Sequence, residues 1–167
     1  MQPALAPLAE IFALDTDLLL NSITGVSEAH AAERLLPGTN SVAFLVAHAI
    51  DARHFVATLL GHPGANPLGE QLKGATGIDD VVALPPLSEL RQLWLDASRN
   101  LEAALEGATA EGLAAPSGQK FPVTDPTILG TVAFLAHHES YHVGQLALLR
   151  KGLGYPAMKY TRPSPGC

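Results

Sequence analysis

Apolar residues recur at spacings of three and four along several stretches of this chain, and proline and glycine cluster between them. That period marks amphipathic helices. The first stretch covers 8–23, with Leu8, Ile11, Phe12, Leu18 and Leu19 apolar. A short amphipathic piece follows over 27–36, where Ser27 can cap and Pro37-Gly38 end it. A long segment over 41–60 has Asn40 or Ser41 as its cap and Gly61 just past its end. Leu45, Ala52, Phe55 and Leu59 line one face of it, and His48 falls in that stripe. Leu90, Leu93, Trp94, Leu101 and Leu105 mark another over 88–106, with Ser88 expected as cap and Gly107 as stop. The last covers 126–151, where Asp125 before Pro126 reads as a capping carboxylate followed by a proline at the first helical position. Its buried stripe is expected to carry Ile128, Leu135, Leu146 and Leu149, with His138 and His142 on it.

No strand is legible; 81–84 is too short to weigh. Two long connections remain, 62–87 and 107–124, and structureless connections of that length are usually functional or mobile. The expectation is an all-α fold, a four-helix bundle with two long loops, occupying 1–167 as one domain.

Composition narrows the function. The 167 residues are 47% hydrophobic and 16% charged, which argues against disorder. The formal net charge of −6 argues against a nucleic-acid partner. No acidic residue follows Glu139, whereas Arg150, Lys151, Lys159 and Arg162 do. This is either the cationic end of a helix with a solvated tail or a patch that attracts an anionic substrate. The lone Cys167 cannot form an internal disulfide. Nothing at the N-terminus resembles a signal peptide, and no apolar run reaches about 18 residues without a polar break. The chain is therefore expected to be cytoplasmic and to avoid membranes.

Chemistry concentrates in the histidines. His138 and His142 lie four apart, hence one turn apart on one helix face, and can aim ring nitrogens at the same ion. His48 is the other histidine placed mid-helix on an apolar stripe. A buried imidazole needs both nitrogens satisfied, and a shared divalent metal satisfies one on each ring. His137 points away from this face, and His30, His54 and His62 read as surface or loop positions. Asp51 is one turn from His48 and Gln145 one turn from His142, so either can orient a ligand ring or serve only as a surface or capping group. The string from His138 to His142 also fits HExxH, with Glu139 as general base. Zinc proteases of that kind take a downstream His, Glu or Asp as third ligand, and 143–167 has none. Glu139 is instead read as a structural residue turned from the ligand face, and as a third candidate for the surroundings of the site.

The stretch from Asn40 to His48 resembles the second helix of DinB-like proteins, and the run from His138 to Gln145, followed by Leu149-Arg150 and Gly152, resembles that family's HxxxHxGQ helix. The resemblance covers nearly the whole chain apart from the two long loops. It implies an up-down-down-up bundle of the DinB/YfiT type, a homodimer in many relatives, and a zinc, nickel or iron ion held by His48, His138 and His142. It further implies an S-transferase using a low-molecular-weight thiol such as bacillithiol or mycothiol. A bound ion would favour thiolate at neutral pH, for attack on a small electrophile. Two rivals keep the metal: a small hydrolase with water as nucleophile, and a non-enzymatic, stress-related bundle stabilised by its ion.

Overall fold

The computed structural model describes residues 1–161; Arg162 and Cys167 lie outside the described residues. The fold is helical, with one isolated antiparallel bridge between Pro116 and Thr127. Four long helices dominate: α1 (Ala6–Ile23), α3 (Val42–Leu59), α5 (Leu87–Gly107) and α7 (Ile128–Gly152). Three short ones lie between them: α2 (Glu28–Ala32), α4 (Gly69–Leu72) and α6 (Ala110–Ala114), with 3-10 turns at Pro3–Leu5 and Ile78–Asp80. The two long connections are thus not structureless. Among the long helices α3 packs on α5 and α7, and α1 packs on α7 and α5.

Several starts follow the expected chemistry and two do not. Ser27 and Ser41 cap α2 and α3 by accepting from the His30 and Phe44 N–H groups. Ser88 does not cap α5. That helix begins at Leu87, and the Glu28 carboxylate accepts from the N–H groups of Leu87 and Ser88 across the fold. A carboxylate brought by tertiary contact replaces the local cap and complements the helix dipole. Pro126 is likewise outside α7; Thr127 caps it through the Gly130 N–H, and Asp125 accepts from the Thr127 N–H one step earlier.

Burial corrects the expected stripes. α3 is buried nearly all round, from Val42 to Ala47 and again at Ala49, Ile50, Arg53, His54, Val56 and Ala57. The line His48, Ala52, Phe55 and Leu59 is therefore its more open side, each residue only half-buried. On α7 the innermost line runs Val132, Leu135, Glu139, Val143 and Leu146, while His138 and His142 sit half-buried on its flank. A helix that is apolar on every side gives periodicity little to report. α3 is long and apolar enough to cross a membrane by length and composition, contrary to the sequence reading, but 61% of it is buried inside the fold, as a core helix would be.

Candidate metal centre

α3 and α7 pack side by side and present their flanks together. His48 comes from α3; His138 and His142 come from successive turns of α7. Their Nε2 atoms converge, with 3.4 Å between His48 and His138 and 3.0 Å between His138 and His142. One ligand nitrogen from each of the three rings lies within 4.8 Å of the others. Zinc–nitrogen bonds of tetrahedral geometry set nitrogens about 3.3 Å apart. The donor set therefore fits a divalent ion of the kind imidazole prefers.

A neighbour fixes one tautomer. His142 Nδ1 lies 2.6 Å from Gln145 Oε1. An amide oxygen can only accept, so His142 carries its proton on Nδ1 and turns an unprotonated Nε2 toward the other rings. Burial lowers the pKa of all three histidines, to about 4 for His48 and His138. For His48 the His142 ring adds to burial, and for His138 the rings of His142, His48 and His137 do. The rings are thus neutral at pH 7, the form that binds metal. The His138 ring is buried at Nδ1, which has no hydrogen-bond partner among the described residues. Phe134 lies against it at 6.0 Å, Phe44 stacks on His48 at 6.0 Å, and Tyr141 meets His142 edge-on at 5.5 Å.

Of the three residues expected around the site, Gln145 touches a ligand ring. Asp51 instead accepts from Asn66 Nδ2 at 2.7 Å, tying α3 to the connection after it. Glu139 points into the core, where Arg53 Nε and Nη2 donate to its two oxygens at 2.8 and 2.6 Å. Arg53 also donates to Thr16, Ser98 and the Phe12 carbonyl, and its guanidinium lies 3.7 Å from the Trp94 ring centroid. Asp15, buried nearby, accepts from Ser140 Oγ at 2.6 Å and feels the charge of Arg53. A carboxylate held this way is no general base for the histidine face, which removes the HExxH chemistry on structural grounds too.

The remaining histidines separate. His137 and His62 are exposed, and His30 Nδ1 meets the Tyr155 hydroxyl at 2.7 Å. His54 was expected at the surface but is buried at 9% exposure, because α3 has almost no outer side. Of the basic residues after Glu139, Arg150 is buried and donates to the carbonyls of Pro156, Ser22 and Thr24, so it does not face an anion, whereas Lys151 and Lys159 are exposed. Sequence reasoning missed Arg53 and Phe121. Arg53 had a signal, a guanidinium inside an apolar helix, which must be buried with a partner. Phe121 had none, because only the path of the 115–127 segment brings it beside Phe134 at 4.7 Å.

Compared with known families, residues 11–146 match the model of the DinB superfamily. Neither the curated proteins nor the solved structures provide a match.

Proposed function

The chain belongs to the DinB superfamily, and from that premise we propose that it is a metal-dependent S-transferase joining a low-molecular-weight thiol, of the bacillithiol or mycothiol kind, to a small electrophile. His48, His138 and His142 would hold a zinc, nickel or iron ion. The observation that carries this reading is the convergence of three neutral imidazoles, one of them fixed by Gln145 with its lone pair inward. The ion supplies Lewis acidity that favours thiolate over thiol at neutral pH.

The chain's own residues bind and orient. Gln145 keeps the proton of His142 on Nδ1, away from the centre. Phe44 and Phe134 hold the His48 and His138 rings by packing. The one carboxylate next to a ligand histidine in sequence, Glu139, is committed to Arg53, so the centre has no carboxylate base from that turn. This favours a nucleophile that needs only to lose its own proton to solvent over a hydrolase that needs a positioned base. The same reading takes the four long helices as an up-down-down-up bundle; α3 and α5 are neighbours joined by a long connection, as parallel neighbours require. It takes the working protein as a cytoplasmic homodimer acting on a small molecule.

The test is metal content of protein purified without a histidine tag, followed by thiol consumption in the presence of an electrophile. About one ion per chain is expected, lost in His48→Ala and His142→Ala together with thiol-dependent turnover. Turnover that persists in His48→Ala would refute the mechanism. Turnover that needs the metal but no thiol would establish the hydrolase, and a bound metal with no turnover the structural role.

A further inference from the structure

Aromatic residues are scarce in this chain, 5% of the total with only five phenylalanines. Four of those five gather at the histidines: Phe44 on His48, Phe134 on His138, Phe121 on Phe134, and Phe55 on Phe121. The core elsewhere is mostly leucine, alanine and valine. Phe44 is 3% exposed and serves as packing behind His48. Phe55, Phe121 and Phe134 are different, because each packs against the core yet stays only half-buried. They form a continuous wall, with Phe121 at 6.5 Å from Phe55 and stacked at 4.7 Å on Phe134, ending at His138.

The middle ring of that wall is delivered by a built loop. Pro116 and Thr127 bridge its base, where Ser117 N–H donates to the Pro126 carbonyl and Ile128 N–H to the Ala115 carbonyl. At its tip the Val123 N–H donates to the Phe121 carbonyl at 2.8 Å. The loop thus folds back to lay one aromatic side chain between a residue of α3 and a residue of α7. Half-buried rings beside a polar centre cost hydrophobic surface that the fold could have buried or replaced with polar groups. Rings offer faces and edges on which another flat apolar group gains more than its area alone provides.

We propose that Phe55, Phe121 and Phe134 form the seat for an aromatic or similarly flat apolar group of the molecule handled at the histidines, with Phe121 setting the preference. The proposal rests on the reading of the three histidines as a reaction centre, and it names the class of electrophile or thiol substituent that the centre accepts.

The experiment is titration of zinc-loaded protein, followed by ligand-detected NMR, with four probes: benzyl alcohol, ethanol, benzyl mercaptan and ethanethiol. Each benzyl compound is expected to bind about tenfold or more tightly than its aliphatic counterpart. Phe121→Leu and Phe55→Leu, which keep apolar bulk but remove the ring, are each expected to lose most of that preference and to leave ethanethiol unchanged. Benzyl alcohol binding no better than ethanol would overturn the proposal, as would a benzyl preference that survives in both variants. The thiol reading fails separately: benzyl mercaptan binding no tighter than benzyl alcohol would sink it and leave the wall standing.

Discussion

Arg53 and Glu139 form a two-bond ion pair, 1% and 2% exposed, between the helices that carry the histidines. Arg53 stands five residues after His48 on α3, and Glu139 directly follows His138 on α7. The pair therefore sets the register of the two flanks that bring the three imidazoles together. Burial raises the pKa of Glu139, and the guanidinium opposes that rise.

Removing one member leaves the other charge buried without its partner. Arg53→Ala and Glu139→Ala are each expected to cost about 3–5 kcal/mol. The pair Arg53→Met with Glu139→Leu should be less destabilised than either single variant, because no orphan charge remains. Urea unfolding of the three proteins checks this. A double variant as unstable as the sum of the singles would mean that the bonds of Arg53 to Thr16, Ser98 and Phe12 dominate instead.

Gln145 acts on metal affinity more than on folding. Its Oε1 accepts from His142 Nδ1–H on the half-buried flank of α7. Gln145→Ala should weaken metal binding by about 10- to 100-fold, while costing about 1 kcal/mol of stability in the metal-free chain. Zinc competition against a chromophoric chelator measures the first and chemical denaturation the second. An unchanged affinity would separate Gln145 from the histidines' role.

The metal-free protein should lose stability as the solution becomes acidic. His48 and His138 titrate near 4 in the folded chain against about 6.5 when unfolded. Between those values the unfolded chain takes up protons that the folded chain refuses. Their contribution is fully present above pH 6.5 and is lost as the pH falls toward 4. His48→Gln should flatten part of that slope in a series of unfolding curves from pH 7 to 4. A slope identical to the parent's would assign the loss to carboxylates.

Glu28 holds α5 from across the fold, through the N–H groups of Leu87 and Ser88. Those bonds lower the pKa of its carboxyl, the Leu87 contact most. Glu28→Ala should cost about 1 kcal/mol, the usual value of a lost cap. Ser88→Ala, the change that a local reading of the sequence would choose, should cost much less. Thermal melts of the two variants decide between them.

That contrast shows where the sequence stops being legible. α1 and α5 could be read from an apolar period, α3 and α7 from long apolar runs bounded by capping residues and glycine, and the histidine pair because the spacing from His138 to His142 is itself a geometric statement. Ser41 as cap is local and was equally visible. Glu28 at α5 and Phe121 at the histidines are contacts between distant segments, which periodicity does not encode. The open side of α3 escaped for another reason. A helix buried nearly all round looks alike from every direction, so His48 reads as core although it lies on the helix's more open side.

Three glycines of α7 should respond differently to alanine, and the differences report on what surrounds the helix. At Gly130 a Cβ would overlap the Asp125 main-chain carbonyl, which cannot swing aside, so Gly130→Ala should be destabilising by about 2 kcal/mol or more. At Gly152 the obstacle is the end of the Leu35 side chain, which can rotate, and the cost should be smaller. Gly144 has nothing within 4 Å of where a Cβ would stand, and its helical backbone suits any residue. Gly144→Ala should therefore stabilise the chain by about 0.5–1 kcal/mol through lower unfolded-state entropy and higher helix propensity. If Gly144→Ala instead destabilises, and does so more at high protein concentration than at low, the space over Gly144 is filled by a second copy of the chain. The glycine would then serve close approach between molecules, with the neighbouring exposed Tyr141 and Leu148 at the same interface. Denaturation at two protein concentrations, with sedimentation velocity on the same samples, separates these outcomes.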